Sequence, residues 1–388
     1  MVFQTPPPSL KEEAALEKIE ELRRQLRSYV AQPRRWVGQV RRVLGARAIQ
    51  GSNSIEGFNV SVEDALAAGA SEEPMEAAGE DWQAVVGYRR AMTYVLQLAR
   101  DKHFGYSPQL IRSLHYMMCE HELEASPGLW RPGSIWIRNE AGGDVVYEGP
   151  DASDVPALID ELVAELAGDG GTPAMVRAAM AHLNLVMIHP FRDGNGRMSR
   201  CLQTLVLARE QIVEPEFCGI EEYLGANTAS YYQVLAQVGR GRWSPDGDAR
   251  PWVRYCLQAH FIQAASVLRR VKESEWMWLQ IDELRERHRL PERCMAALYE
   301  ATLGLTVRNG SYRATLRTSW QEEISNQLAT GDLRAMAQAG LLEQHGAKRG
   351  AHYRAGNPLE DIHAQARSER KPIDVTSLFY FGEDDRDT

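Results

Sequence analysis

The spacing of hydrophobic and polar residues along the chain predicts a mostly helical protein. From residue 10 to about residue 47, apolar positions recur at helical spacing among Glu, Leu, Arg and Ala, which favour helices. The same spacing predicts further helices at residues 81–101, 108–123, 155–166, 172–188 and 197–211. The N-terminal and central parts of the chain are therefore predicted to be α-helical.

Between residues 133 and 150 the pattern changes to one that is typical of β-strands. The runs SIWIRN and DVVYEG are rich in β-branched and aromatic residues, and the turn-forming segment EAGG at residues 140–143 separates them. This segment is therefore predicted to form a β-hairpin.

Helical patterning returns at residues 221–287, with a turn-rich interruption at residues 239–248, and Pro291 indicates a boundary near residue 290. Beyond it, three predicted helices at residues 292–301, 312–317 and 323–339 precede a second hairpin that turns at residues 346–350. Three helices followed by a hairpin predict a winged helix. The polar, acidic residues that follow Asn357 predict a frayed tail.

These patterns predict a mainly α fold with a β-hairpin and a C-terminal winged-helix domain. We expect five parts: an N-terminal helical region at residues 1–110, a core at 111–260, a helical linker at 261–290, a winged-helix-like domain at 291–357 and a polar tail at 358–388.

Composition places the chain among soluble globular proteins. Of its 388 residues, 44% are hydrophobic and 25% are charged, which is ordinary globular usage. The net charge of −9 disfavours nucleic-acid binding by the chain as a whole, although one basic face could still bind DNA. The five cysteines are too widely spaced for a zinc cage or a redox pair. With neither a signal peptide nor a long apolar run, we expect a cytoplasmic protein with no membrane partner.

The segment HPFRDGNGRMSR at residues 189–200 lies between two predicted helices and has the character of an anion-binding loop. Gly194 and Gly196 allow backbone N–H groups to approach an anion, and the helix that follows adds the partial positive charge of its N-terminus. Asp193 is a hard oxygen ligand of the kind that holds Mg²⁺ together with phosphates. The loop therefore predicts a site for a magnesium nucleotide.

Three basic side chains complete this predicted site. Arg197 and Arg200 are three residues apart, so both project from one face of the predicted helix and can neutralise a polyphosphate. His189 precedes the loop, and its imidazole can accept a proton from a hydroxyl at neutral pH. We therefore interpret His189 as a general base.

The same twelve residues resemble the complete signature of the Fic family, His-x-Phe-x-Asp/Glu-Gly-Asn-Gly-Arg-x-x-Arg, with every specified position filled. The resemblance implies a Fic helical fold and an enzyme that transfers AMP from ATP to a Ser, Thr or Tyr hydroxyl of a protein. Pyrophosphate would leave, His189 would be the base and Asp193 would bind Mg²⁺. The implied nucleotide-binding residues, with the first as an anchor of the loop in the core, are Phe191, Gly194, Asn195, Gly196, Arg197, Arg200, Tyr231 and Tyr232.

Two further elements are similar to parts of Fic proteins. The hairpin resembles a flap that aligns the target as an added strand, with Ile135, Trp136 and Ile137 as its docking edge. The segment SNSIEG, with Ser52 and Glu56 at its specified positions, resembles an inhibitory motif whose glutamate pairs with the second signature arginine. Glu56 would then compete with the triphosphate for Arg200, because one guanidinium cannot make its bidentate bonds to both.

Several alternatives remain open at this stage. Tyr231 and Tyr232 also fit core positions, and Glu56 also fits an ordinary helix end. The same fold could transfer another nucleotide or phosphate, or remove AMP, or the chain could be a DNA-binding regulator whose Fic core senses nucleotide. The target protein is unknown, and self-modification and a homo-oligomer are both possible. The winged helix could bind DNA or protein through a set of basic residues among acidic ones: Arg334, Lys348, Arg349 and Arg354.

Overall fold

Helices dominate the part of the chain that the structure, a computed structural model, describes: residues 1–31, 34–138, 145–168, 171–210, 215–347 and 350–379. The first eight helices are α1 Leu10–Val30, α2 Arg35–Ile55, α3 Val62–Ala70, α4 Gly79–Leu98, α5 Pro108–Cys119, α6 Val155–Ala167, α7 Ala174–Ile188 and α8 Asn195–Arg209. The next eight are α9 Pro215–Cys218, α10 Glu221–Ala226, α11 Thr228–Gly239, α12 Arg250–Arg287, α13 Met295–Thr302, α14 Asn309–Thr315, α15 Asn326–Gln338 and α16 Asn357–Ser368.

Four short strands form two antiparallel hairpins: β1 Trp136–Arg138 with β2 Val145–Glu148, and β3 Leu342–His345 with β4 His352–Ala355. The first hairpin confirms the predicted one, and its register pairs Trp136 with Glu148 and Ile137 with Tyr147. The turn predicted at residues 140–143 lies outside the described residues.

Helices α7 and α8 form the centre of the molecule. In α7, 13 of the 15 residues are buried, and a helix that is apolar on all sides must be enclosed by others. It packs against α6, α8 and α12, while α8 also packs against α4 and α5. The signature segment forms the loop between α7 and α8 and the first turns of α8, so the packed core holds both ends of the predicted site.

Helix α12 is 38 residues long and packs against α1, α7, α13 and α16. Buried residues continue along it from Trp252 to Ile281. The predicted boundary at residue 260 therefore falls inside one continuous helix, and residues 261–287 of the predicted linker belong to a helix that the core packs around.

Beyond α12, helices α13, α14 and α15 precede the β3–β4 hairpin, and an isolated bridge joins Val307 to Tyr353 of β4. This order agrees with the elements expected from the sequence, and the winged-helix assignment stays a prediction. Lys348 and Arg349 lie outside the described residues.

The structure corrects the prediction of a frayed polar tail after Asn357, because it has a packed helix there. Helix α16 begins at Asn357, and its Leu359 and Ile362 are buried against the body of the protein. These two residues are three apart and so share one face of the helix, which forms a narrow apolar stripe within a polar sequence. Leu378 is also buried, at 1% exposure. The segment is therefore packed at α16 and again at Leu378, with the exposed residues 367–372 between them.

Two predictions from composition can be compared with the described residues. All five cysteines are buried and free of disulfide bonds. Over the described ranges, the helices are either too short or too polar to span a bilayer.

Candidate active site

His189 lies at the C-terminal end of α7, where it adopts a left-handed conformation with φ of 51°. Its ring is half-buried, and Nδ1–H donates to the carbonyl oxygen of Val186 at 3.1 Å. A carbonyl oxygen only accepts, so this bond places the proton of the neutral ring on Nδ1 and leaves the lone pair on Nε2. Burial, and then the nearby charge of Arg131, lower the pKa of His189 below its ordinary value. The ring is therefore a neutral base at physiological pH.

The loop after His189 is closed by Asn195. The side-chain Oδ1 of Asn195 accepts from the N–H of Phe191, and its Nδ2 donates to the carbonyl of the same residue, both at 2.9 Å. The Phe191 ring is fully buried, as expected of an anchor. Because the Asn195 amide is occupied within the loop, the group it can offer a ligand is its backbone N–H.

His115 of α5 also supports this loop, through a ring contact and two hydrogen bonds. Its ring stacks on Phe191 with 3.6 Å between centroids and 3° between planes. Nδ1 accepts from the N–H of Gly128, and Nε2 donates to the carbonyl of Asp193, both at 2.8 Å. Burial lowers the pKa of His115 to about 4, so the ring stays neutral and holds these two bonds. The sequence interpretation missed this residue.

Both glycines of the loop are required where they are. Gly194 immediately precedes α8, as its N-cap, with φ of +73°, and a Cβ there would lie 2.8 Å from the sulfur of Cys119. A Cβ on Gly196 would overlap Oε1 of Glu56 and lie 3.1 Å from Nη1 of Arg200. The first glycine thus permits the turn, and the second permits a carboxylate to enter the site.

Arg197 is 1% exposed, and its guanidinium has few partners. Nη2 lies 3.1 Å from Oδ2 of Asp193 and 3.7 Å from the sulfur of Cys119, and the group sits 4.9 Å from the centre of the Phe58 ring. Nε and Nη1 have no hydrogen-bond partner among the described residues. Asp193 itself is 53% exposed, so the pair opens toward solvent.

Arg200 is equally buried, and the end of α2 surrounds it. Nε donates to Ser52 Oγ at 2.8 Å, and Nη2 donates to the Ser52 carbonyl at 2.9 Å and to Oε1 of Glu56 at 2.5 Å. Burial alone would lower the pKa of Arg200, but the groups around it, the Glu56 carboxylate first among them, together raise the pKa above its ordinary value. The predicted contact between Glu56 and Arg200 is confirmed.

Arg131 joins the base of the first hairpin to the catalytic loop. Its Nε donates to the carbonyl of His189 at 2.8 Å, and its backbone N–H donates to the carbonyl of Pro190 at 2.9 Å. Nη1 and Nη2 donate to the carbonyls of Gly133 and Pro150, both at 2.6 Å. One buried guanidinium thus fixes both ends of the hairpin relative to the candidate base, and the sequence interpretation missed this role too.

The family comparison agrees with this geometry. Residues 105–207, which include the whole signature segment, match the model of the Fic/DOC family. These residues form a Fic domain.

Curated proteins similar to the chain carry the same family name. Protein adenylyltransferase fic-1 of Caenorhabditis briggsae is 36% identical over 116 residues, which cover 28% of this chain and 20% of that protein. Protein adenylyltransferase Fic of Aedes aegypti is 28% identical over 177 residues, which cover 44% of this chain and 31% of that protein. The chain therefore spans about a fifth of the first relative and about a third of the second.

Two solved structures share the fold. A Fic family protein from Desulfovibrio desulfuricans G20 has a TM-score of 0.56 at 19% identity, covering 92% of this chain and 99% of that chain. Fic-1 from C. elegans has a TM-score of 0.50 at 22% identity, covering 66% of this chain and 71% of that chain. The mostly helical fold with a small hairpin is therefore the fold of Fic proteins.

The hairpin of this Fic domain has one paired edge and one open edge. At Glu148, the outer edge of β2 bonds to residues 241 and 243, with N···O distances of 3.0 and 2.9 Å. Within the described ranges, no strand pairs with the outer edge of β1. Trp136 of β1 is 50% exposed, and its indole N–H donates to Glu148 at 3.1 Å, while Ile135 and Ile137 are half-buried. The open edge is thus the one that contains the predicted docking residues.

The two tyrosines near the Fic domain's site differ from each other. The Tyr231 ring is 1% exposed, and its hydroxyl is bonded to Nε2 of His182 at 2.9 Å. It is a core residue, so the predicted contact of Tyr231 with the nucleotide base is corrected. Tyr232 is 49% exposed, and its hydroxyl donates to the carbonyl of Ile55 at 3.2 Å, next to Glu56. In the described part of the chain, no group of three His, Cys, Asp or Glu side chains could hold a metal by itself.

Proposed function

We propose that this chain transfers AMP from ATP to a Ser, Thr or Tyr hydroxyl of a protein, and that Glu56 restrains the reaction. The observation that carries the proposal is the complete signature loop whose second arginine is held by Glu56 at 2.5 Å. The similarity to proteins named adenylyltransferases supports the choice of AMP as the transferred group.

The residues of the loop have separate tasks in this proposal. His189 Nε2 takes the proton of the target hydroxyl as its oxygen bonds to the α-phosphorus of ATP, and the bond to the β-phosphate breaks so that pyrophosphate leaves. Backbone N–H groups at the start of α8 and the guanidinium of Arg197 bind the phosphates. Positioning and electrostatics supply most of the acceleration.

Asp193 is the residue that would hold Mg²⁺. Its carboxylate is 53% exposed at the mouth of the loop, and Mg²⁺ commonly binds one or two carboxylates together with the phosphates of a substrate. The bound ion would neutralise charge on the phosphate oxygens. Five buried, unbridged cysteines favour a reducing, cytoplasmic environment for the reaction.

A labelling experiment tests the proposal. Wild type, Glu56→Gly and Glu56→Gly/His189→Ala are incubated with Mg²⁺ and ATP labelled on the α-phosphate, with and without cell lysate, and label on protein is followed. We expect label to rise in Glu56→Gly and to fall about 10²- to 10⁴-fold when His189 is also removed. Self-labelling would appear in the samples without lysate.

Glu210→Gly is a matched control. Glu210 also occupies a helix C-cap and also pairs with an arginine, Arg177 at 3.3 Å, but it lies at the far end of α8. It should leave labelling at the wild-type level. If every variant is folded and binds nucleotide yet none gains label, adenylylation is wrong. The mass added to a labelled target would distinguish AMP from another nucleotide or a phosphate.

A further inference from the structure

A cavity of about 300 Å³ lies between α2, α12, α13 and α16, apart from the Fic signature loop. Its apolar lining includes Val40 and Leu44 of α2 and Met277 of α12. Its polar lining includes Arg47 of α2, Arg270 of α12, and Arg367 and Arg370 of the α16 end of the chain. We call this space, defined by these four arginines, the basic cavity.

The basic cavity has a marked excess of positive charge. Four arginines line it together with one carboxylate, Glu273, and a second carboxylate, Glu222, bonds to two of them from beside the cavity, which leaves an excess of two positive charges before His363 is considered. The chain as a whole has a net charge of −9, so this local excess of positive charge is opposite in sign to the charge of the whole protein. Such a cluster attracts anions, because low-dielectric walls focus its field into the cavity.

The available carboxylates compensate only part of this charge. Glu222, next to the cavity, binds Arg270 through two bonds of 2.6 and 2.8 Å, and Arg47 lies 3.5 Å from the same carboxylate. Glu273 binds Arg370 through two bonds of 2.7 and 2.6 Å.

Glu222 is therefore shared by Arg270 and, at a longer distance, Arg47, while Glu273 is committed chiefly to Arg370. No carboxylate of the described residues lies within ion-pair distance of Arg367. Arg47 and Arg367 thus retain donors for a further anion.

Electrostatic effects on neighbouring groups support this arrangement. Burial lowers the pKa of Arg47, and the charge of Arg270 lowers it further. Burial also lowers the pKa of His363, as do Arg367 and Arg370. Like charges are thus close enough to disfavour one another, and an anion between them would relieve that repulsion.

We propose that the basic cavity binds a small anion that carries one or more phosphate groups. Guanidinium groups match phosphate oxygens with paired hydrogen bonds, and the opening between helices is large enough for a compact ligand. The ligand would bridge Arg47 of α2 and Arg367 of α16, and so join the helix that ends at Glu56 to the C-terminal helix. This site is independent of the proposed AMP transfer.

Calorimetric titration with inorganic pyrophosphate tests the site, at low ionic strength and with a chelator present so that no Mg²⁺ contributes. Arg367→Gln is the main variant, because Arg367 is exposed and its removal breaks no ion pair in the described structure. We expect pyrophosphate to bind wild type and to bind Arg367→Gln about tenfold more weakly. Arg287→Gln is the matched control, an exposed arginine at the C-terminal end of α12 that does not line the cavity and should bind as wild type does.

Thermal melting provides a second measurement. A ligand that binds only the folded chain raises its melting temperature, and the rise should be smaller in Arg367→Gln than in wild type. Loss of one of two binding events in Arg367→Gln would also support the proposal. Absence of binding to wild type, or equal binding to wild type and Arg367→Gln, would overturn it. Binding lost in Arg197→Gln but kept in Arg367→Gln would overturn it too, by placing the anion at the signature loop.

Discussion

The two signature arginines lie three residues apart on α8, are equally buried and have very different surroundings. Arg200 donates to Ser52 of α2 twice and to Glu56, the residue that caps α2, once, and only Nη1 of its guanidinium has no partner among the described residues. Arg197 has one charged partner, Asp193, and two of its nitrogens have no partner among the described residues. One half of the site is closed by the protein itself, and the other half is open to a ligand.

This difference indicates how the proposed restraint would be released. Leaving a buried charge without a partner costs about 3–5 kcal/mol, so Glu56 does not simply leave Arg200. A phosphate group can take its place, because it offers the same guanidinium an equivalent pair of acceptors. In the proposed function, Glu56 and the triphosphate therefore compete for Arg200. Arg197 and His189 need no such exchange, because they are already in position before the nucleotide binds.

The largest expected effect is on the pH dependence of transfer, because it follows from the neutral state of the His189 ring. The pKa of His189 is lowered from 6.5, so the ring stays neutral below that pH and loses its role as a base only further down. In Glu56→Gly at saturating ATP, we expect kcat to stay level down to about pH 6.5 and then to fall about tenfold per pH unit below the pKa. Initial labelling rates measure this, and a fall that begins well above pH 6.5 would contradict it.

Arg131 provides the control for this prediction. Its charge contributes to the lowered pKa of His189, so Arg131→Gln should move the acid limb to higher pH. Arg131→Lys keeps the charge but loses part of the hydrogen bonding to the hairpin. Added to Glu56→Gly, it should therefore leave the acid limb at the pH that Glu56→Gly alone shows. The two variants separate the electrostatic effect of Arg131 from its geometric effect.

Gly196→Ala tests the closed half of the site. The added Cβ would overlap Glu56 Oε1, so the substitution should break the contact with Arg200 and lower the free energy of unfolding by about 3 kcal/mol. In Glu56→Gly the overlapping carboxylate is absent, and alanine in a helix is favoured over glycine by up to about 1 kcal/mol. There the same change should be neutral or stabilising. Urea unfolding of the four proteins in this cycle measures the coupling between positions 56 and 196.

The difference between the cost of Gly196→Ala in wild type and in Glu56→Gly tests whether Glu56 opposes the alanine. If Gly196→Ala costs the same in both backgrounds, the alanine is opposed by the backbone or by Arg200 and not by Glu56. The closed half of the site would then not depend on the carboxylate in the way that the structure indicates.

Ser52→Ala should have a smaller effect on the same half. It removes the acceptor of Arg200 Nε at a fully buried position and leaves a charged donor unsatisfied, which costs about 2 kcal/mol. Ser54→Ala is the control, because the Ser54 hydroxyl bonds only to the carbonyl of Gly51 in its own helix. Its free energy of unfolding should change by less than about 0.5 kcal/mol. Equal losses in the two variants would mean that the bond from Arg200 to the Ser52 hydroxyl contributes nothing.

The sequence predicted the parts of this site that are contiguous. Twelve consecutive residues define the loop between α7 and α8 together with the first turns of α8, and glycines at fixed positions require the conformation that the structure has. The contact between Glu56 and Arg200 spans 144 positions, and no local pattern indicates it. It could be predicted only because the segment around Glu56 resembles an inhibitory motif of the same family.

Other parts could not be predicted, for physical reasons that differ. Arg131 bonds only to backbone carbonyls, which every residue has, so no residue pattern identifies its partners. His115 could have been noticed, because it is a polar residue on the apolar face of α5 between Ile111 and Met118. Helix α16 was missed because its buried face contains few apolar residues. The sequence left Tyr231 open between the core and the nucleotide, because which of two adjacent tyrosines is buried depends on how α11 packs.

Phe58 was also missed, and it gives the smallest prediction, for the open half of the site. The centre of its ring lies 4.9 Å from the guanidinium of Arg197. Because that guanidinium makes few hydrogen bonds, the ring is one of the groups that fix its position. A cation over an aromatic ring is stabilised by about 0.5–1 kcal/mol, so Phe58→Leu should weaken nucleotide binding to Glu56→Gly by about two- to fivefold. Phe104→Leu is the matched control, because the Phe104 ring lies 4.7 Å from Arg209, at the other end of α8. Calorimetry with a non-hydrolysable ATP analogue should show weaker binding in Phe58→Leu alone. Unchanged affinity in both variants would mean that Arg197 needs no aromatic support, and that its buried position alone prepares it for the phosphates.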